Sequence, residues 1–295
     1  LPSAAMNLGG FGLPQLALAY TALGLARLPR AAWAQLTGWH KSGGVSSNAI
    51  GGRRGRLRSQ PSPMSFLVSP LVLTLAAASA ALIWAAVLAL PDGKLHVWFL
   101  DVGQGDGILI QTPSGRQVLI DGGSSAETLL SQLGAVMPFW DRSLDLVVIT
   151  HPDADHMTAQ VEADGRFAVL AAWETPVSAA DPAAAPWRAA VEAAGATVQL
   201  QSAGGWADLG DGVALWVLGP PARPFAGEDA DNQNSLVAKL VYGDFSVLLM
   251  GDAGSAAEAA LLVEAAPLSS TVFKVAHHGS KSATGDAFVA AVNPL

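Results

Sequence analysis

Cysteine is absent from the 295 residues of this chain. Its absence excludes disulfides, a cysteine-ligated zinc and a cysteine nucleophile. Any metal site must therefore be built from histidine and carboxylate side chains. The absence is compatible with either side of a bacterial membrane and does not distinguish between them.

Acidic residues are absent from the first 91 positions. All 24 Asp and Glu residues lie in 92–295, where nine basic residues leave a net charge of −15. Residues 1–91 carry seven basic residues and a net charge of +7. The chain thus joins two unlike pieces. Because phosphate contacts supply most of the affinity for DNA, the acidic piece is not expected to hold DNA tightly on its own.

Charge of either sign is missing from residues 66–90. About 20 apolar residues cross a bilayer as a helix, so we predict a transmembrane helix over 64–91. Residues 1–63 are interpreted as the end of a polytopic membrane domain and a basic loop. The positive-inside rule places that loop in the cytoplasm, which puts 92–295 on the outer face of the bacterial cytoplasmic (inner) membrane. Since the first residue is not Met, we expect a piece of a longer membrane protein.

Four potential metal ligands follow the apolar run 144–150, which is expected to be a buried strand. They are His151, Asp153, Asp155 and His156. Imidazole with carboxylate suits Zn, Mn or Fe better than Ca, and four ligands are enough to be shared between two ions. The alternative is a polar turn that caps the next segment, but a cap needs one such residue and not four.

Two later stretches offer further ligands. Asp252 follows the apolar run 245–250, although a lone Asp after a strand is more often a turn residue. His277 and His278 follow the apolar run 271–276. Strand alternation sends neighbouring side chains to opposite faces, so only one of the two is expected to be a ligand. From its position in the motif we predict that this ligand is His277. His278 then lies near the substrate as a proton donor to the leaving oxygen.

The pattern of 92–295 predicts a mixed α+β fold. Short apolar runs separated by Gly, Asp and Pro turns indicate successive hairpins interleaved with helices. We expect an αββα sandwich preceded by transmembrane helices. The glycine-rich turn 101–107 lacks a lysine and precedes a strand, which argues against a phosphate loop. We predict instead that its Gln104 and Asp106 point towards the metal site and contact the substrate there.

Five motifs together resemble the metallo-β-lactamase superfamily, and more narrowly the extramembrane domain of ComEC-type DNA-internalisation proteins. The motifs are Phe-Leu-Asp-Val-Gly-Gln-Gly-Asp (99–106), Leu-Ile-Asp-Gly-Gly (119–123), Thr-His-Pro-Asp-Ala-Asp-His (150–156), Leu-Met-Gly-Asp (249–252) and Lys-Val-Ala-His-His-Gly-Ser (274–280). The resemblance covers about residues 62–295. Related domains continue with another strand, so the domain 92–295 is expected to be C-terminally incomplete.

The resemblance implies a hydrolase with two divalent metal ions, Mn or Zn. Asp252 would be the bridging carboxylate, and Asp155 would also help to orient the attacking water as a catalytic residue beside His278. The implied ligands are His151, Asp153, Asp155, His156, Asp252 and His277. The superfamily commonly has another His ligand in the interval 157–276, where this chain has none.

Other residues are expected around the substrate. The segment 231–235 resembles a family motif of its own, and its Asn234 is expected to line the site, although an amide is a poor replacement for a histidine ligand. Ser280 and Lys281 could contact a phosphate oxygen. Their alternative, an ordinary exposed loop, is slightly favoured.

The function implied by the resemblance is a nuclease that degrades the non-transported DNA strand in natural transformation. Its partners would be single-stranded DNA delivered by the membrane channel and other competence proteins. The alternative is a non-catalytic metal-binding module that gates or guides DNA at the pore. A structural site is closed and four-coordinate, whereas a catalytic site keeps open positions, and this difference distinguishes the two.

Overall fold

The computed structural model describes residues 70–88, 90–227 and 229–295. The predictions for 1–63, and positions 64–69 and 89 of the predicted transmembrane helix, lie outside the described residues. Helix α1 (Pro70–Leu88) forms within that predicted segment. Its Ala and Leu content favours a helix, and proline is tolerated at its first position. Within the described residues, no helix combines the length and the apolar character needed to cross a membrane.

Two β-sheets lie at the centre of the fold. The first has the order β1-β2-β3-β4-β5-β6, and its strands are β1 (His96–Phe99), β2 (Ile108–Gln111), β3 (Gln117–Ile120), β4 (Ser143–Val148), β5 (Ala168–Glu174) and β6 (Thr197–Leu200). The second has the order β11-β10-β9-β8-β7, and its strands are β7 (Trp206–Gly210), β8 (Val213–Gly219), β9 (Val237–Tyr242), β10 (Phe245–Leu249) and β11 (Val272–Lys274).

The helices of this part of the chain either cover the outer faces of the two sheets or lie in the connections between strands. They are α2 (Ala126–Val136), α3 (Ala154–Asp164), α4 (Pro176–Ala180), α5 (Ala185–Ala193), α6 (Ala230–Gln233), α7 (Ser255–Val263) and α8 (Asp286–Val292), with 3-10 turns at Pro182–Ala184 and His277–Gly279.

Three apolar cores separate the four layers. The first packs α2, α3 and α5 on one face of the first sheet. The second lies between the two sheets, where Leu146 and Val148 of β4 meet residues of β8 to β10. The third packs α7 and α8 on the second sheet. The predicted mixed α+β sandwich with two sheets is therefore confirmed, whereas the transmembrane helices of that prediction are not shown.

Strand direction collects the motif residues at one edge. Strands β3, β4, β5 and β6 are parallel, so their carboxyl ends lie together at what we call the site edge. The amide of Leu236, just before β9, donates to the carbonyl of Thr150 at 2.9 Å. This bond brings the second sheet to the same edge, where β10 ends next to Asp252.

Candidate metal centre

The histidine-rich segment 151–156 joins β4 to α3 at the site edge. His151 lies in the connection and His156 in the first turn of α3, and both residues are fully buried. Asp153 occupies the N-cap position of α3, but its side chain makes no capping hydrogen bond. The structure therefore does not support the alternative in which these residues only cap the helix.

Asp121 orients the two buried histidines, His151 and His156, which we call the inner histidines. Its Oδ2 atom lies 2.9 Å from Nδ1 of His156 and accepts a 2.7 Å hydrogen bond from the Thr150 hydroxyl. That hydroxyl has a single proton, so its oxygen accepts from Nδ1 of His151, which is 3.0 Å away. In their neutral form both imidazoles therefore carry the proton on Nδ1 and keep the Nε2 lone pair free.

Asp252 lies opposite these free nitrogens. Its Oδ1 is 3.3 Å from Nε2 of His156, and its Oδ2 is 4.0 Å from Nε2 of His151. Both Oδ1 of Asp252 and Nε2 of His151 are buried and make no hydrogen bond. Unpaired buried polar atoms are costly, and a divalent cation between them would satisfy both. The residues present thus fit a metal ion.

His277 and His278, the outer histidines, lie in the 3-10 turn after β11. Their φ values are 49° and 52°, so the alternation of a strand does not apply to them. Nε2 of His278 lies 3.5 Å from Oδ2 of Asp252 and 3.3 Å from Nε2 of His156. Nε2 of His277 lies 3.8 Å from the same Asp252 oxygen. The geometry favours His278 as the ligand, the reverse of the assignment made from motif position.

Asp106 and Lys274 hold His278 in place. Oδ1 of Asp106 lies 3.3 Å from Nδ1 of His278, and its Oδ2 forms an ion pair with Nζ of Lys274. Burial opposes the charge of Asp106, but His278 and Lys274 outweigh it and lower the pKa of this carboxyl. Its hydrogen bond to His278 in turn raises the pKa of that histidine. Asp106, predicted to face the substrate, thus has both oxygens engaged by cationic groups.

Gln104 reaches the site through Asp155. Its Nε2 donates to Oδ2 of Asp155 at 3.1 Å, and the same oxygen lies 3.8 Å from Nε2 of His278. The turn packs so tightly on α3 that a Cβ at Gly105 would lie 1.5 Å from the Asp155 carbonyl oxygen. Asp155 therefore lies beside the outer histidines with one oxygen held in place.

Opposite charges shift the pKa values at the centre. Burial opposes the charge of Asp252, but His156 and His151 outweigh it and hold the pKa of this carboxyl far below its usual range. Burial also disfavours a charged His156, but Asp121 and Asp252 raise its pKa to about 11. Without a bound cation, a proton on His156 therefore balances the carboxylates, and a metal ion would replace that proton.

Three predicted substrate residues lie in loops around the site. The amide of Asn234 donates to the carbonyls of Phe225 and Ala230 and accepts from the Phe225 amide, so it holds its own loop. Ser280 makes a side-chain hydrogen bond within the loop that follows the outer histidines, and Lys281 is exposed. Their contacts with a substrate stay predictions.

Four sets of three side chains place ligand atoms within 4.8 Å of one another in the described part of the chain. The sets overlap through a few shared residues, which allows two ions. They are His151–His156–Asp252, Asp155–His156–His278, Asp106–Asp121–His156 and Asp106–Asp252–His278. Asp153 is in none of them, although its Oδ2 lies 3.5 Å from Nε2 of His151. Asp121 and Lys274 are the residues of the centre that the sequence did not single out. Position after an apolar strand was the available signal for Asp121.

A two-sheet sandwich with outer helices and histidine and carboxylate ligands at one sheet edge defines a class of metal-binding α+β proteins. More narrowly, the chain belongs to the metallo-beta-lactamase superfamily, whose family model matches residues 100–294.

Two curated relatives are competence proteins, which confirms the resemblance. Competence protein ComA of Neisseria gonorrhoeae is 29% identical over 208 residues, which are 70% of this chain and 27% of that protein. ComE operon protein 3 of Bacillus subtilis (strain 168) is 28% identical over 216 residues, covering 68% of this chain and 27% of the relative. This chain thus spans about a quarter of their length. Among solved structures, the Rm3 metallo-beta-lactamase matches with a TM-score of 0.41 and 17% identity over 70% of each chain.

Proposed function

We propose that residues 92–295 form a metal-dependent hydrolase that cleaves phosphodiester bonds of the non-transported DNA strand during natural transformation. The observation that carries this proposal is that the side chains of His151, His156, Asp252 and His278 converge on one place. Two of their buried atoms, Nε2 of His151 and Oδ1 of Asp252, make no hydrogen bond there. Membership of the superfamily supports hydrolysis, and the names of the competence relatives support a role in DNA uptake.

The ligand sets suggest how two ions, Mn or Zn, would be held. The inner histidines and Asp252 would hold one, and Asp155, His278 and again Asp252 would hold the other. When bound, such ions lower the pKa of water towards neutrality and neutralise charge on the phosphate oxygens.

The remaining side chains prepare the site. Asp121 keeps the lone pairs of the inner histidines turned inward, and Gln104 fixes one oxygen of Asp155, which leaves the other to orient a water. With His278 as ligand, His277 is the better placed proton donor to the leaving oxygen, because 34% of its side chain is exposed. Lys281, also exposed, would contact a phosphate oxygen.

Substrate delivery needs other parts of the uptake machinery. The net charge of −15 over 92–295 disfavours tight binding of DNA by this domain alone. We therefore place the domain on the outer face of the cytoplasmic membrane, where the channel hands it a single strand. Other competence proteins would bring the DNA to that channel.

Metal analysis combined with a nuclease assay tests the proposal. The full chain is stripped of metal, reloaded with Mn or Zn, and mixed with labelled single-stranded DNA. We expect Asp252→Ala to lose metal and cleavage, since its carboxylate lies within 4.0 Å of Nε2 of all four histidines of the site. His96→Ala is the matched control, because His96 lies at the other edge of the first sheet, and it should keep both. Absence of cleavage with either metal would contradict the nuclease.

A non-catalytic module that guides DNA is the second candidate. It is favoured by the engagement of Lys274, the cation nearest the centre in the described residues, in an ion pair with Asp106. Because of that pair, Lys274 is not available to neutralise the charge that develops on a phosphate during cleavage. Full metal occupancy without cleavage in the same assay would favour this module over the hydrolase.

A further inference from the structure

The edge of the first sheet opposite the metal centre carries its own cluster of exposed residues. Strand β1 enters the sheet there, because His96 pairs with Gln111 and Gln111 with Gln117. The α2–β4 connection, with Phe139 and Trp140, reaches the same edge, where β4 and β5 begin. The metal centre and this opposite edge thus face in opposite directions.

Two aromatic side chains project from this edge. Phe139 is 72% exposed and Trp140 is 43% exposed, and their rings meet edge to face with centroids 4.8 Å apart. They adjoin two grooves that share Met137 and Pro138, and one of these grooves extends to Leu90. Contiguous exposed apolar surface of this kind marks an interaction site.

The surrounding residues indicate what covers this surface. Helix α1 ends two residues before Leu90 and exposes apolar side chains that include Ile83 and Trp84. The aromatic surface is therefore continuous in the chain with a helix that exposes large apolar side chains. A helix that is apolar on all sides needs an apolar environment, and lipid offers one.

The charge beside the aromatic pair points the same way. Arg142 and Arg166 are exposed and line the groove that does not reach Leu90. Arg166 makes one exposed 3.5 Å contact with Glu162, and such surface ion pairs contribute little to stability. Asp141 in the same groove already accepts hydrogen bonds from Gln117 and from its own loop. Two arginines next to aromatics complement anionic headgroups, although the domain as a whole is acidic.

We propose that the opposite edge docks on an anionic lipid surface. Phe139 and Trp140 lie at headgroup level, and Arg142 and Arg166 contact the lipid phosphates. The proposal rests on the membrane location given under the proposed function, and is independent of hydrolysis. It turns the metal centre away from the bilayer, towards incoming DNA.

The absence of cysteine makes a site-specific test possible. A single Phe139→Cys variant of the full chain is labelled with an environment-sensitive fluorophore and added to vesicles of equal parts phosphatidylcholine and phosphatidylglycerol. We expect the emission to shift to shorter wavelength and to be quenched by spin labels near the headgroups. Trp206→Cys is the matched control, since Trp206 is 55% exposed on the second sheet, and its label should stay solvent-like.

The arginines are tested by affinity. Arg142→Gln and Arg166→Gln should each weaken binding to the anionic vesicles about fivefold, with little effect on vesicles of phosphatidylcholine alone. Arg223→Gln, another exposed arginine, serves as the control. A label at 139 that stays solvent-like while the chain floats with vesicles would overturn the proposal, and so would a failure of the chain to bind. A shift that follows protein concentration without vesicles would instead show self-association.

Discussion

The two pairs of histidines at the metal centre are held in contrasting ways. The inner histidines are fully buried, lie on either side of a helix start, and share a single orienting carboxylate, Asp121. The outer histidines are partly exposed and lie in a 3-10 turn with left-handed backbone, and only His278 has a carboxylate at its Nδ1 atom. The inner pair is thus preorganised by the core, whereas the outer pair depends on one ion pair. Preorganised ligands bind metal tightly, and looser ones leave room for substrate.

The largest effect should come from replacing one of the outer histidines by alanine. We expect His278→Ala to lose one metal ion, because His278 lies within 3.5 Å of both Asp252 and His156. His277→Ala should keep metal and lose turnover, since its role is proton donation. The metal content of both purified variants shows which histidine is the ligand. Loss of metal from His277→Ala alone would restore the assignment made from motif position.

Removing the cation that supports the outer pair should cost stability. In Lys274→Met the buried Asp106 keeps a single partner, His278. Breaking a buried ion pair in this way lowers the free energy of unfolding by about 3–5 kcal/mol. Urea unfolding of the metal-free chain measures this loss. Lys281→Met, which removes an exposed lysine seven residues later, is the control. An equal cost in both variants would mean that the ion pair contributes nothing.

The inner pair is tested through its shared carboxylate. Asparagine tolerates the positive φ of Asp121, but its amide nitrogen cannot accept from His156. The imidazole would have to move its proton to Nε2, so Asp121→Asn should lower metal affinity about 10–100-fold. Competition with a chelator measures this change. Asp106→Asn should lower metal affinity less, because Asp106 orients one histidine and Asp121 orients two. A larger loss of affinity in Asp106→Asn would mean that the outer pair holds the metal more strongly than the inner pair.

The turn that carries Gln104 offers a matched pair of glycines. Gly105→Ala combines φ of +97° with a severe clash against Asp155, whereas Gly103→Ala has φ of +83° and open space. The clash should therefore add about 1–3 kcal/mol of destabilisation beyond the shared backbone strain. Parallel unfolding curves give the difference. Equal losses would show that the turn gives way without disturbing Asp155.

The smallest effect, counted per pH unit, is the dependence of stability on the protonation of His156. The pKa of His156 rises from 6.5 to about 11 on folding, so its contribution to stability is complete below the unfolded value and is lost as pH rises towards 11. The metal-free chain should lose at most about 1.4 kcal/mol per pH unit over that interval. Asp121→Asn should flatten this slope. A slope that is unchanged in the variant would show that Asp121 does not stabilise the charged imidazole.

Local sequence pattern predicted much of the fold. Strand β2 follows the glycine-rich turn 101–107 as predicted, and β4 is buried on both faces as its apolar run indicated. Strands β5 and β7 were missed, because the first is rich in alanine and the second is bounded by glycines. Helix α3 was read as part of a loop, since its first turn carries Asp155 and His156. Residues with mixed propensity take their structure from tertiary packing.

The candidate site shows where sequence reasoning stops. Clustering along the chain singled out the inner histidines and Asp252, since each follows an apolar strand. Asp121 also follows an apolar strand, but Asp121 and Lys274 act through partners far away in sequence, so their roles could not be predicted from spacing. The prediction for Asn234 likewise could not include its three hydrogen bonds within its own loop.

The length of strand β4 sets the distance between the aromatic pair and the metal centre. Its six residues rise about 3.3 Å each, which separates the aromatic pair at one end from the histidines at the other by roughly 20 Å. The first sheet therefore acts as a spacer of fixed length. With the aromatic pair held at headgroup level, an extended DNA strand must therefore reach several nucleotides beyond the lipid surface before it meets the metal centre.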